Sequence, residues 1–310
     1  MSWQPSASIE NIKARAEMLS GIRRFFAERQ VLEIETPLVC ESTVTDPYIE
    51  SLRLESRDYL QTSPEYAMKR LLAAGVGDCY QICKAFREDE SGLRHNPEFT
   101  LLEWYRVGFT LDDLMADVAD LVGLFLPANG VRKLSYQAVF EQALGFDPLT
   151  VSLEDVRAFA QKHINLEMPD GSIDDWLNAL MSHVIEPTLG SDHPVFIYQY
   201  PPSQAALAKL TENTKGQSVA ARFELYYQGI ELANGFDELT DQFTQANRFA
   251  QDNQERSARG QQNIPIDQDF LACLPNLPDC SGVALGLDRL LMLSTESTSI
   301  KDVLAFPQKT

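Results

Sequence analysis

The chain has 310 residues, 44% of them apolar, and a formal net charge of −19; that supports a sizeable core in one large domain or two ordinary ones and disfavours non-specific binding of polyanions, which needs clustered cations. No apolar run reaches the roughly 18 residues of a membrane helix, and the opening MSWQPSASIENIKARAE has no apolar signal segment. The five cysteines, Cys40, Cys79, Cys83, Cys273 and Cys280, suit reduced cytoplasmic thiols better than a disulfide framework.

In chain order, Ser8 is a candidate cap for a helix over 9–30, in which Ile9, Ile12, Ala16, Leu19, Ile22 and Phe26 form one apolar stripe. VLEIETP, 31–37, is predicted as a strand stopped by Pro37, and LESRDYLQTS, 54–63, as another. SPEYAMKRLLAAG, 63–75, reads as a helix ending near Gly75. YQICKAF, 80–86, and FTLLEWY, 99–105, predict an antiparallel hairpin, and helical stretches follow at 111–126, 135–143, 153–162 and 173–186. VFIYQYP, 195–201, is a buried strand, RFELYYQGIELANGF, 222–236, a second hairpin, and TDQFTQANRFAQDNQERSARG, 240–260, a helix. GVALGLDRLLML, 282–293, reads as a strand running into a helix. Strands dominate the ends and helices the middle, which predicts an α+β fold with an antiparallel sheet flanked by helices.

Three places carry candidate chemistry. The first hairpin has a long charged loop, Glu88 to Asn96, where ordinary hairpins use about two to five residues. It is either a solvated loop or a holder for an anionic, planar ligand such as a nucleotide, with arginine on phosphate and Phe99 stacking. In the second hairpin a symmetric register pairs Glu224 with Glu231 across the turn. Opposed like charges destabilise a sheet, so these are two exposed edge carboxylates or ligands for a cation such as Mg²⁺ on nucleotide phosphates. Beside them, Asn234, Glu238 and Asp241 crowd near Gly235, as a pocket for a cationic substrate or as a solvated turn. In GVALGLDR, glycines permit close approach to a ligand and Arg289 falls in the first turn of the helix; core packing is the other reading. Cys79 and Cys83 are spaced C-x3-C, but the four histidines are scattered and a zinc site is not expected.

In this order and combination the segments resemble the motifs of class II aminoacyl-tRNA synthetases, and the lysyl type most closely. EIETPLV is similar to motif 1, FREDESGLRHNPEFTLLEWY to motif 2 and GVALGLDRLLML to motif 3; TSPEYAMKRLL and ELANGFDELTD resemble the lysine pocket. The resemblance runs from about residue 8 to Pro307 and leaves no room before it for an anticodon-reading β-barrel. That arrangement is similar to the truncated lysyl-synthetase paralogues that attach β-lysine to a lysine side chain of elongation factor P. Ala284, in place of a motif 3 glycine, and Ser63, in place of the usual alanine, both match those paralogues. Asp89 stands where glutamate is usual, and Gln30 replaces a motif 1 glycine.

The resemblance implies one catalytic domain over 1–310, an AMP-forming ligase, ATP as substrate with Mg²⁺, a cytoplasmic homodimer joined through motif 1, elongation factor P as acceptor, and no tRNA charging. It implies Arg87 on the α-phosphate and Arg289 on the γ-phosphate as the catalytic pair. Glu88, Asp89, Asn96, Phe99, Leu232 and Gly286 complete the nucleotide site, and Glu224 and Glu231 carry the metal. Glu238 and Tyr105 would take the terminal ammonium of the amino acid. Ser63, Pro64, Glu65, Glu103, Asn234, Phe236 and Ala284 would surround the rest of it. Two other functions are compatible with the motifs: a free-standing amino-acid-activating synthetase with another acceptor, such as an asparagine synthetase relative, and a non-catalytic regulatory paralogue. The second is disfavoured because both arginines and both carboxylates are present.

Overall fold

In the computed structural model, which describes residues 3–88, 92–126, 130–164, 166, 168 and 171–308, the Ser8 hydroxyl accepts the Asn11 amide and starts α1, Ile9–Glu28. Its buried face is Met18, Ile22, Phe25 and Phe26. The predicted stripe is right only in its last two members, since Ile9 and Ala16 are exposed. Burial is confined to the helix from Met18 onward, where Phe26 meets the sheet. Beyond α1, Gln30 has φ 58°, a left-handed conformation that glycine adopts at less cost, which accounts for the glycine usual at this point of motif 1.

Contacts divide the chain into two compact units, residues 1–127 with 238–310, and residues 128–237. Elements are numbered along the chain. The first unit holds α1, β1 (Leu32–Glu33), β2 (Val39–Cys40), β3 (Tyr59–Leu60), α2 (Glu65–Ala73), β4 (Cys79–Phe86), β5 (Glu98–Val107) and α3 (Leu111–Val122). The second holds β6 (Arg132–Ser135), α4 (Tyr136–Leu144), α5 (Leu153–His163), α6 (Ile173–Leu180), β7 (Val195–Tyr200), β8 (Leu210–Glu212), β9 (Ser218–Tyr227) and β10 (Ile230–Asp237). The chain then returns to the first unit with α7 (Gln242–Ala258), α8 (Gln268–Cys273), β11 (Cys280–Gly286) and α9 (Leu287–Ser294). The α+β class predicted from the sequence is what the strands and helices build.

In the first unit β1 pairs parallel to β4, while β4–β5 and β5–β11 are antiparallel. One face packs on α1 and α3. Phe26 stacks on Tyr80 with centroids 4.3 Å apart and meets Trp104 edge-on at 5.5 Å. The Trp104 indole N–H donates to Asp117 at 3.2 Å. The opposite face carries the candidate site. Two predicted strands are shorter than expected. In 31–37 only Leu32 and Glu33 pair, and in 54–63 only Tyr59 and Leu60. There the Ser56 hydroxyl donates to Asp58 and Arg57 takes φ 76°, so the chain turns where a strand was expected.

In the second unit β9–β10 and β7–β9 are antiparallel, β6–β7 is parallel, and β8 pairs with the start of β9. Tyr136, Phe140, Trp176, Leu180 and Ile197 are among its buried core. The β9–β10 turn has positive φ at Gln228 and Gly229, 50° and 66°, the two-residue hairpin geometry whose twist matches the strands. β2, β6, β8 and α8, all short, are not marked in the sequence pattern. The predicted 173–186 helix also runs too far: α6 ends at Leu180 and a wider turn spans Met181–Ile185.

Asp288, 3% exposed at the start of α9, ties the first unit together. Its carboxylate accepts from Arg15 Nη2 at 2.5 Å and from the Thr100 amide of β5 at 2.7 Å. Asp288→Ala leaves that buried amide without its acceptor and the Arg15 guanidinium without its carboxylate. It should lower the unfolding free energy by about 3 kcal/mol, read as a lower denaturant midpoint at unchanged slope.

Candidate active site

The register of β4, β5 and β11 sets the floor of the site. Gln81, Glu103 and Ala284 form one row, Cys79, Tyr105 and Gly282 the next, Cys83, Leu101 and Gly286 a third. Opposed residues share a face and alternate residues along a strand return to it. Phe99, Glu103 and Tyr105 therefore lie in line on one side of β5. Arg87 follows β4, held by its amide to the Pro97 carbonyl at 3.0 Å. Its guanidinium carbon is 5.2 Å from the Phe99 ring centroid. From Phe99 to Glu103 the strand advances about 13 Å, so a cationic, aromatic end and an acidic end are separated along one surface.

At the acidic end Glu103 is 2% exposed. Ser63 Oγ donates to its Oε2 and the Tyr105 hydroxyl to its Oε1, both at 2.7 Å. Burial pushes its carboxyl up to about 7; the Glu65 charge adds to this and the two hydrogen bonds oppose it. Ser63 Oγ also accepts the Glu65 amide at 3.0 Å, which fixes the start of α2 over the pocket, and Pro64 is buried at that start. A Cβ at Gly282 would collide with the Tyr105 ring and sit 2.6 Å from Glu238 Oε1. This glycine makes room for a side chain of the protein rather than for backbone approach to a ligand.

Glu238 is fully buried, and so is Lys69. The Lys69 ammonium is 2.5 Å from Glu238 Oε2 and 2.6 Å from Glu65 Oε1. Burial alone would lower the Lys69 pKa, but the Glu238 and Glu65 charges outweigh it and the ammonium is held above its ordinary value. Burial pushes Glu238 up to about 8 against the pull of Lys69. Glu238 Oε1 has no hydrogen-bond partner among the described residues. Of the two residues expected at the terminal ammonium, the Tyr105 hydroxyl here donates to Glu103 and Glu238 pairs with Lys69. Asp241 is not part of the pocket, since it accepts the Thr244 amide and caps α7.

At the other end, Arg289 Nη2 is 2.5 Å from His95 Nε2, and Gly286 is the N-cap of α9. Asn96 donates to the Glu98 carbonyl at 2.6 Å and accepts the Gln308 amide at 3.0 Å, so its amide is engaged with backbone. Glu88 is exposed, and its amide donates to the Glu50 carbonyl at 2.9 Å. Asp89 lies outside the described residues.

In the second unit the symmetric pairing of Glu224 with Glu231 does not occur. Glu231 opposes Tyr226, because the two-residue turn sits at Gln228–Gly229, and Glu224 opposes Asn234, because a bulge at Leu232 adds one residue to β10. The bulge puts Glu231 on the same face as Asn234 and Phe236, so the two glutamates are diagonal neighbours on that face. Glu224 accepts from Arg222 Nη2, from Tyr200 at 2.7 Å and from Tyr226. Burial and the Glu224 charge hold both tyrosine hydroxyls protonated, well above their ordinary range. Arg222 Nε also donates to Asn234 Oδ1 at 3.1 Å, and its guanidinium carbon is 5.9 Å from the Phe236 ring centroid. The Leu232 side chain is buried, which leaves its backbone for contact. No cluster of three or more His, Cys, Asp or Glu side chains with metal-site geometry occurs among the described residues. The two carboxylates fit a hard cation that takes its other ligands from phosphate and water.

A family model described as "tRNA synthetases class II (D, K and N)" matches residues 1–310. The chain belongs to this class II family. Among curated proteins, "Elongation factor P--(R)-beta-lysine ligase" of Pseudoalteromonas translucida is 47% identical over 98% of this chain and 97% of its own. Proteins of that name from Salmonella dublin and Pectobacterium atrosepticum are 48% and 46% identical over the same shares.

Class II membership accounts for the side-by-side placement of motif 2 and motif 3 on β5 and β11. Within the first unit the structure brings together Ser63, Glu65, Glu103, Tyr105, Glu238 and Ala284 as the sequence led one to expect, and it sets Arg87 beside Phe99. Within the second it brings Asn234 and Phe236 onto the face of Glu224. Four contributors were missed. Lys69 was read as an ordinary helix position, although Glu65 and Lys69 at i, i+4 signal a pair. Arg222 is two residues from Glu224 on the same face of β9, a period-two signal, whereas Tyr200 of β7 reaches Glu224 only through the fold. His95 lies in the motif 2 loop, where no spacing signals its contact with Arg289.

Proposed function

We propose that this chain activates (R)-β-lysine with ATP and transfers it to a lysine ε-amine of elongation factor P. One observation carries the reading: a buried Ser63–Glu103–Tyr105 group and an Arg87–Phe99 pair lie in line on one sheet face of a class II synthetase. The relatives named for this activity align with nearly the whole chain.

ATP lies with its base against Phe99 and its α-phosphate at Arg87. A carboxylate oxygen of the amino acid attacks the α-phosphorus as the bond to pyrophosphate breaks. Negative charge grows on the α-phosphoryl oxygens during this step, and the fixed Arg87 guanidinium stabilises it. Arg289 steadies the γ-phosphate. Glu103 holds one ammonium, with Ser63 and Tyr105 orienting its oxygens. The acceptor ε-amine then attacks the acyl carbon. The bond to AMP breaks, an amide forms, and the amine proton is lost to water; no protein nucleophile takes part. In the second unit Glu224 and Glu231 would hold Mg²⁺, which supplies charge neutralisation to the phosphates.

Ala284 faces Glu103 across β5–β11, where its methyl crowds the α-amine position and favours an amine one carbon further from the carboxylate. Ala284→Gly should raise activity on α-lysine relative to β-lysine by about 10- to 200-fold, the range for one methylene-sized difference. An unchanged ratio means that Ala284 is strand packing only.

We further propose one catalytic domain acting as a cytoplasmic homodimer. All five cysteines are free thiols, and no helix among the described residues is long and apolar enough to cross a membrane. Leu32 and Val39, 51% and 48% exposed in the motif 1 strands, offer an apolar face to a second copy. The test of function is incubation with ATP, Mg²⁺, (R)-β-lysine and purified elongation factor P, read by mass. A gain of one β-lysyl group on the factor is expected, with no aminoacylation of tRNA. Charging of tRNA with no change in the factor would reverse the assignment.

A further inference from the structure

The proposed reaction gives no role to Lys69 or to the two carboxylates on it. The Lys69 ammonium is fully buried and joins Glu65, at the start of α2, to Glu238, just before α7. Phe270 of α8 lies beside it, with the ring centroid 5.9 Å from Nζ. A lysine that only filled space here would be better replaced by leucine or methionine, because burying an ammonium is costly unless its charge is used. Glu65, Glu103 and Glu238 each act electrostatically on their neighbours. Without Lys69 they would put three carboxylates in one closed space.

We propose that Lys69 is a built-in counter-ion that sets the charge of the pocket, so that it accepts an amino acid with two ammonium groups. This rests on the function proposed above. Three carboxylates and one lysine leave two negative charges when all are ionised. Lys69 neutralises Glu65 and pins Glu238 through Oε2, which leaves Glu238 Oε1 and Glu103 facing the ligand. A diamino acid brings two ammonium groups to these two acceptors. A monoamino acid of the same length leaves one buried carboxylate unpaired, and sites built for a polar group reject analogues that lack it far more strongly than they reject a misplaced methylene. Lys69 is therefore a positioning residue, acting on the substrate through Glu238.

The groups that face this cluster are Glu65 and Tyr66 of α2, Cys79 and Cys83 of β4, Glu103 and Tyr105 of β5, and Cys273 of α8. Burial raises the tyrosines and all three thiols. Glu103 and Glu238 are thus the groups whose ionisation answers to Lys69 near neutral pH.

The test is pyrophosphate exchange from pH 6 to 9 for wild type, Lys69→Met and the double variant Lys69→Met/Glu65→Gln, with (R)-β-lysine, lysine and the monoamino acid norleucine. Lys69→Met keeps most of the volume and removes the charge. Its kcat/KM for the diamino acid should fall by about 100-fold at pH 7, mainly in KM, the size expected when one partner of a buried charge pair is removed. The loss should shrink as pH rises, because Glu238 must then ionise without help. A space-filling role moves no pH profile. The double variant restores two negative charges and should recover at least about tenfold over the single one. If Lys69→Met does not fold, a folded and active double variant carries the same conclusion. A single variant with wild-type kcat/KM and pH profile, or a double variant no better than the single in folding and activity, overturns the proposal. Wild type inactive on every diamino acid would overturn the proposed function and this inference with it; wild type active with an unrecovered double variant overturns only the inference.

Discussion

Arg87→Ala should slow adenylate formation by about 10³-fold or more in kcat, with a smaller rise in the KM for ATP. Arg87 is the cation beside Phe99 on the site face, and its charge matters most when the α-phosphorus is under attack. An interaction that strengthens in the transition state appears in kcat rather than in KM. Loss of a single oriented donor to a developing oxyanion costs about 10²–10³ in rate, and loss of an arginine acting on a transferring phosphoryl group about 10³–10⁵. Arg87→Lys should recover only part of the loss, because an ammonium cannot donate in the planar, forked geometry. Pyrophosphate exchange at saturating ATP measures this directly. A variant whose kcat stays within threefold of wild type, with only KM changed, would assign Arg87 to ground-state binding.

The second large effect belongs to Glu103. Its carboxyl is raised from 4.5 to about 7 by burial and the nearby Glu65, so the free enzyme loses the charge that holds the substrate ammonium as pH falls through neutrality. The acid limb of kcat/KM should therefore lie near pH 7 instead of 4 to 5, since this parameter reports the ionisation of the free enzyme. Glu103→Gln keeps the shape and removes the charge. It should lower kcat/KM for β-lysine by about 10²–10³-fold, the cost of leaving a buried ammonium without its counter-ion, and flatten the acid limb. Stability moves the other way. A carboxyl raised on folding contributes stability that is fully present below its unfolded value of 4.5 and is lost as pH rises through about 7. Without ligand, Glu103→Gln should therefore lose less thermal stability between pH 5 and 8 than wild type. A limb unmoved by Glu103→Gln would assign it to another group, with Glu238, raised to about 8, the first to examine.

The class II fold was legible because its motifs are contiguous. Motif 2 contains both strands of one hairpin and its loop, so its residues meet through local pairing alone. The cluster of Ser63, Glu103, Tyr105 and Glu238 was legible in which residues meet but not in how they bond. Nothing local says that the Tyr105 hydroxyl turns to Glu103, two residues away on the same face, while Glu238 closes on Lys69. That choice depends on Gly282, 177 positions from Tyr105 in sequence, being small enough to admit the ring. The Glu224–Glu231 register failed for a different reason. A symmetric count needs the turn one residue earlier than Gln228–Gly229, where it sits, and the extra residue at Leu232 then reverses the parity of everything after it, which brings Asn234 opposite Glu224. The α1 stripe failed in its first members because periodicity marks a face of the helix but not how far along it a tertiary partner extends.

The Arg15–Asp288 bond spans 273 positions, and this has a consequence during synthesis. At about 5–20 residues per second, roughly 15 to 50 seconds separate the emergence of the two partners from the ribosome. Through that interval α1 waits without its anchor, and the backbone bonds of Ser6 and Ala7 to Ala305 and Leu304 come later still. Residues 128–237 form a contiguous unit and are complete long before then. Nascent chains stalled at increasing lengths should thus acquire protease resistance first within 128–237, and in α1 only after the last segment of the chain is released.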